Sequence, residues 1–175
     1  MNIFLSAGMV FGIILGLIIC VILFKLANSD KKVVSSYDER QEAIRGKGYK
    51  YGFYTTMLLE VLAIALEAGN FEFPFGRHFV HFFMILAGMG VLCIYCIWRG
   101  AYWGLNNNRK AYAAIFVFMV ALNVFPLVMA LRHSGLSADG ADSLPVFNLM
   151  VLVWLGIIGI SALIRKALDA GKEDE

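Results

Sequence analysis

Charge is what this sequence has least of. Only 16% of its 175 residues are Asp, Glu, Lys or Arg, while 60% are hydrophobic; a soluble domain carries about 25% and about 45–50% respectively. So little polar surface excludes a water-soluble fold. A net charge of +2 leaves no basic excess for neutralising phosphates, and a nucleic-acid partner is excluded with it. Cysteine is scarce as well: Cys20, Cys93 and Cys96 all lie in apolar stretches, none in a loop, so no disulfide framework is implied. Cys93 and Cys96 form a CxxC near the inner end of a span, where the thiols read as small packing residues. The apolar stretches lack the period-two alternation of a membrane barrel. Also missing are a GxSxG elbow, a phosphate loop and a zinc-protease HExxH, so no catalytic residue and no cofactor is expected.

What is present is five long windows free of Lys and Arg: Ile3 to Phe24, Tyr51 to Ala68, Phe79 to Trp98, Ala111 to Leu131 and Val146 to Ile164. Glu60 and Glu67 are the only charged side chains inside them. At about 1.5 Å per residue, each window can cross about 30 Å of hydrocarbon once. The expected fold class is all-α, an integral membrane bundle of five transmembrane helices, forming one membrane domain over 1–175. The spans are placed at 3–27, 51–68, 79–98, 111–131 and 146–164, with a cytoplasmic helical loop at 28–50. Nothing basic precedes the first window and its apolar core exceeds the usual 7–15 residues of a signal peptide, so it is expected to remain as a helix.

Lys and Arg accumulate on the cytoplasmic side of spanning helices. Assigning alternate loops to that side places 13 of the 15 inside and 2 outside, which predicts an outer N-terminus, an inner C-terminus and a multi-pass protein of the cell (cytoplasmic) membrane. Ser36 and Glu39 have capping-box spacing, predicting a helix from Tyr37 into the second span. Gly46 and Gly48 predict a bend in it. In the third loop Gly104 suits a left-handed turn and Asn106, Asn107 and Asn108 a helix N-cap.

Inside the second span Thr56, Glu60, Ala63 and Glu67 share one helix face. A carboxylate near the bilayer centre costs at least about 2.5 kcal/mol and turns toward a partner or water. Asn123 is the expected partner of Glu60, and Arg77, His78, His81 or Arg132 that of Glu67. Three readings stay open for Glu60: an interhelical hydrogen bond, a proton or ion site, or a substrate contact. Glu67, His78 and His81, with Glu72 and His133 nearby, form a permissive but undiagnostic metal set. Gly8, Gly12 and Gly16 give two overlapping GxxxG steps for packing within the chain or across a homodimer. Asp38, Glu39, Arg40, Arg45, Lys47, Tyr49, Asn106 and Asn107 are the candidate surface for a membrane or cytoplasmic protein partner.

The segments DERQEAIRGKGYKYGFYT, from Asp38 to Thr55, and GAYWGLNNNRK, from Gly100 to Lys110, resemble a family of small multi-pass membrane proteins of Gram-positive bacteria whose function is not known. Asp38, Glu39, Arg40, Arg45, Tyr49, Asn106 and Asn107 carry the match. The resemblance implies a bacterial accessory protein working beside a DNA-binding regulator or a transport system, and assigns no catalytic residue. The residues themselves suggest a non-enzymatic accessory or sensory component, with a proton- or ion-coupled transporter or channel-like protein using Glu60 as the alternative and a membrane-embedded enzyme third.

Overall fold

A computed structural model describes residues 3–71, 73, 76–133 and 144–171. Among them the chain is all-helical: α1 (Ile3–Ala27), α2 (Glu39–Ala68), α3 (Arg77–Trp98), α4 (Arg109–His133) and α5 (Leu144–Ala170). All five are long and apolar enough to cross a membrane. The described chain falls into two compact units, one of Met1–Asp38 with Trp103–Val117, the other of Glu39–Tyr102 with Phe118–Glu175.

In the first unit the end of α1 is tied to the loop that leads into α4. Asn108 caps α4 as its spacing predicts: its Oδ1 accepts from the N–H groups of Lys110 and Ala111 at 3.1 and 3.3 Å. Gly104 serves close approach, since a Cβ there would lie 2.8 Å from the Ser36 carbonyl oxygen. The left-handed position falls instead on Gly100, in the second unit, with φ 70°. Ser36 is held at both ends, its N–H donating to Asn106 Oδ1 at 2.8 Å and its carbonyl accepting from Leu105 at 2.8 Å. Residues 28–38 are therefore not helical, and α2 begins at Glu39 rather than Tyr37. Gly12 and Gly16 have open space where a Cβ would stand, and the surroundings of Gly8 lie outside the described residues.

The second unit is built on an antiparallel α2–α3 pair with α5 beside α3. Its α2 face repeats every four residues, Gly48, Gly52, Thr56, and the missing side chains let the backbones meet. A Cβ on Gly52 would lie 2.8 Å from the Gly88 carbonyl oxygen, and one on Gly48 would lie 3.0 Å from Leu92 and 3.2 Å from Cys96 Sγ. α2 stays helical through Gly46 and Gly48; Gly48 serves this contact. Lipid tails are as apolar as the side chains, so close backbone approach and hydrogen bonds, rather than escape from water, hold such a pair. The α3–α5 seam uses both. Phe147, Trp154 and Ser161 come seven residues apart, two helical turns each. Phe147 packs 4.6 Å from the Phe79 ring centroid, the Trp154 indole donates to the Leu86 carbonyl at 2.8 Å, and Trp98 donates to Ser161 Oγ at 3.0 Å. The partners ascend together along both helices, so α3 and α5 run parallel. The span in α4 buries no residue.

Candidate functional site

The α2–α3 turn is set by α2's last residues. Phe71 N–H donates to the Leu66 carbonyl, Asn70 N–H to that of Glu67, and Asn70 takes φ 59°. This is a Schellman ending with Asn in the left-handed position. It fixes Glu67 in the last turn of α2 and brings Arg77, His78 and His81 to the first turns of α3.

Both placements run against the helix dipole, which favours cations at a C-terminus and anions at an N-terminus. The side chains compensate one another. His81 Nδ1 lies 2.6 Å from Glu60 Oε2, and its Nε2 lies 3.6 Å from Glu67 Oε1. Arg77 Nε stands 3.9 Å from the same Glu67 oxygen. Both carboxylates are mostly covered by protein, at 22% and 20% exposure, while Arg77 is 79% exposed. Glu67 Oε1 is buried and makes no hydrogen bond in the structure. Gly88 sits near the middle of α3 against Gly52 and Thr56, so Glu60 lies one turn, about 6 Å, from that midpoint toward the hairpin turn.

Proton counting follows from this geometry. A neutral imidazole has one N–H and one lone pair. With Nδ1–H on Glu60, an unprotonated Nε2 presents its lone pair to Glu67 Oε1, and the two repel. The contact turns attractive when one more proton arrives, either on the ring or on Glu67. Glu60, His81, Glu67 and Arg77 thus form one contiguous cluster of charged and titratable groups.

The other sequence-predicted residues lie elsewhere. Thr56 donates to the carbonyl of Gly52 in its own helix at 3.1 Å. Asn123 likewise donates to Met119 O at 2.8 Å, and it is His81 that faces Glu60. His78 stacks on Phe79 and Phe147, with ring centroids 4.4 and 5.9 Å apart. Among the described residues no three His, Cys, Asp or Glu side chains are arranged to hold a metal ion. Arg132 is exposed; Glu72 and the side chain of His133 lie outside the described residues.

At the opposite end of the α2–α3 pair, Glu39 and Glu42 occupy the first turn of α2. There Arg45 reaches the Ala101 carbonyl at 3.4 Å, just past α3's end, and donates to Tyr49 OH at 3.0 Å. Gln41 Nε2 reaches the Gly100 carbonyl at 3.4 Å. Asp38, Glu39, Arg40, Lys47 and Tyr49 are exposed, whereas Arg45 is half-buried.

Asn106 and Asn107, in the first unit, turn their side chains to the chain itself. Asn107 Nδ2 lies within donating distance of Asn28 Oδ1 (2.7 Å), Ser35 Oγ (2.8 Å) and Tyr112 OH (3.2 Å), and its Oδ1 accepts from Gly104 N–H at 2.6 Å. Tyr112 OH also donates to Asn28 Oδ1 at 3.0 Å; Asn28 is only 2% exposed. Asn106 donates to Asp30 Oδ1 and to the Val34 carbonyl at 3.0 and 3.2 Å. The Lys32 backbone N–H, with Asn106 adding to it, holds the Asp30 carboxyl below its usual range.

Sequence reasoning missed two features. The Glu60–His81 pairing joins residues 21 apart across a turn whose register no local pattern fixes. The Asn28–Asn107 knot had a signal in its run of asparagines, but not its partner. No family model, curated protein or solved structure matches this chain.

Proposed function

We propose that this chain is a non-enzymatic component of the cytoplasmic membrane, sensory or accessory, that reads proton availability at Glu60–His81–Glu67 and answers at the Glu39–Lys50 end of α2. The observation that carries this is His81 turned toward two mostly covered carboxylates, one nitrogen on each. The orientation adopted is that of the basic-residue count, with both termini of α1 and α5 assigned by it: N-terminus outside, C-terminus inside, the α2–α3 turn outside. Resemblance to the Gram-positive multi-pass family fits the same accessory role.

The response begins with a proton drawing Nε2 and Glu67 together. Loss of that proton sets lone pair against carboxylate and loosens the turn. Arg77 and His78 are the remaining charged or titratable groups of α3's first turn, and the first two turns of α5, Leu144 to Val151, contribute none. α2 is one helix of 30 residues, about 45 Å, so a shift at its outer end displaces Arg45, Lys47 and Tyr49 as a body. Gly48 and Gly52 put no side chain of α2 into the seam to oppose such a shift. Exposed Asp38, Glu39, Arg40, Lys47 and Tyr49 then meet a membrane or cytoplasmic protein.

The second reading, a proton- or ion-coupled transporter, has in its favour the four charged groups strung along one seam. Weighing against it, the polar line ends at Thr56, where the Gly52–Gly88 backbone contact fills the space.

Hydrogen exchange of residues 39–50, on full-length protein in lipid nanodiscs from pH 5 to 8 where histidine ordinarily titrates, tests the proposal. Wild type is expected to show a pH-dependent step, flattened in Glu60→Gln and in His81→Gln. A flat wild-type profile overturns the sensory reading. Proton flux in proteoliposomes that disappears in Glu60→Gln establishes the transporter instead. Charge reversal at Arg40 and Lys47 is expected to abolish partner capture while leaving the step intact.

A further inference from the structure

We propose that α4 is the surface through which two copies of this chain associate, with Asn123 of each copy at the centre of the contact. This stands apart from the hairpin site and from the α1 glycines.

The apolar span in α4, Arg109–Arg132, buries none of its residues, yet near its middle it carries a carboxamide. Asn123 places one N–H on the Met119 carbonyl at 2.8 Å. Its Oδ1 and second N–H have no partner among the described residues. Three residues on, Pro126 stands inside the helix and has no N–H to give the Leu122 carbonyl. One turn of α4 therefore holds an unpaired carboxamide N–H and oxygen, beside a carbonyl that Pro126 cannot serve, at a depth where water does not supply partners.

The chemistry of the unpaired groups selects the occupant. A carboxamide is donor and acceptor in one plane, hence its own complement. Across a two-fold axis the Oδ1 of each Asn123 meets the free N–H of the other, giving two equal hydrogen bonds from a single residue type. A carboxylate or a backbone carbonyl would satisfy only the donor. Met119 and Leu127, one turn either side on the same face, supply flexible apolar flanks. Phe125 lies on the opposite side and remains toward lipid.

The test uses the full chain with Cys20, Cys93 and Cys96 replaced by Ala, reconstituted into phosphatidylcholine–phosphatidylglycerol vesicles. Single-molecule photobleaching counts copies as protein density is varied, and oxidative cross-linking compares Leu127→Cys with Phe125→Cys. Two-step bleaching is expected to dominate at high density, with cross-linked dimer from Leu127→Cys and little from Phe125→Cys. Asn123→Leu is expected to weaken association about 3- to 30-fold, the worth of an interhelical hydrogen bond or two, while Asn123→Gln keeps it. One-step bleaching at every density overturns the proposal. So does equal cross-linking from both faces, which signals random collision, or an Asn123→Leu chain that dimerises as wild type does. The cross-linking comparison leaves Asn123 in place, so it decides the matter even if the Leu variant folds poorly.

Discussion

The two ends of the α2–α3 pair treat charge in opposite ways. At the Glu39 end acids begin one helix, and Arg45 reaches a carbonyl that follows the other, as the helix dipole prefers. At the turn end an acid finishes α2 and bases start α3, and only mutual pairing relieves the mismatch. The first arrangement needs no compensating partner to suit the dipole. The second, on the function proposed above, answers to a proton. Departures from local rules concentrate where a protein does something other than fold, which is why the turn end is the candidate site and the Glu39 end its proposed output.

The comparison breaks most completely if the seam joining the two ends is removed. Gly88→Leu would drive a side chain into Thr56 Oγ1 and the Gly52 carbonyl, and is expected to cost about 3 kcal/mol or more, read as a lowered midpoint of unfolding in mixed micelles, with the pH step in hydrogen exchange lost as well.

His81→Leu strikes the turn end alone. It leaves Glu60 and Glu67 without their shared partner, at an expected cost of about 3 kcal/mol, largely recovered when Glu60→Gln is added. A double variant no more stable than the single one would mean that the two carboxylates are not held together by His81.

A neutral network supplies the control. Asn107→Ala removes a carboxamide from the Asn28, Ser35 and Tyr112 knot and is expected to cost about 2 kcal/mol, yet leave the pH step untouched. Beside that knot, the Asp30 carboxyl held by Lys32 N–H and Asn106 has a lowered titration. What it contributes is present above the unfolded value near 3.8 and fades as pH falls through the lower folded value, outside the pH 5–8 scan. An altered step in Asn107→Ala would dissolve the contrast between a structural and a responsive polar cluster.

Arg45→Ala should be the mildest, about 0.5–1 kcal/mol, because its contacts at 3.0 and 3.4 Å are partly open to solvent. Its larger effect is expected on partner capture. Stability and capture falling together would assign Arg45 to the fold alone.

Much of this was legible residue by residue. Five windows without Lys or Arg specify five helices, because a backbone in hydrocarbon must bond to itself. Asn108 reads as a cap, and it caps α4. The capping box at Ser36 failed because Asn106 and Leu105, some 70 residues away, hold that backbone in another conformation. The stripe of Thr56, Glu60 and Glu67 was visible as a face, but whether its members act together was not: Thr56 closes on its own helix while the two acids reach across to α3.

The sequence alone determined how many helices this protein has, where they start and stop to within a few residues, and that acids sit within an apolar span, since each follows from solvation and hydrogen bonding along the chain. Only the tertiary structure decided that His81 lies between those acids and that glycines close the seam beneath them. Pairing depends on the register of one helix against another, and a shift of a single turn, about 5.4 Å, would have parted them.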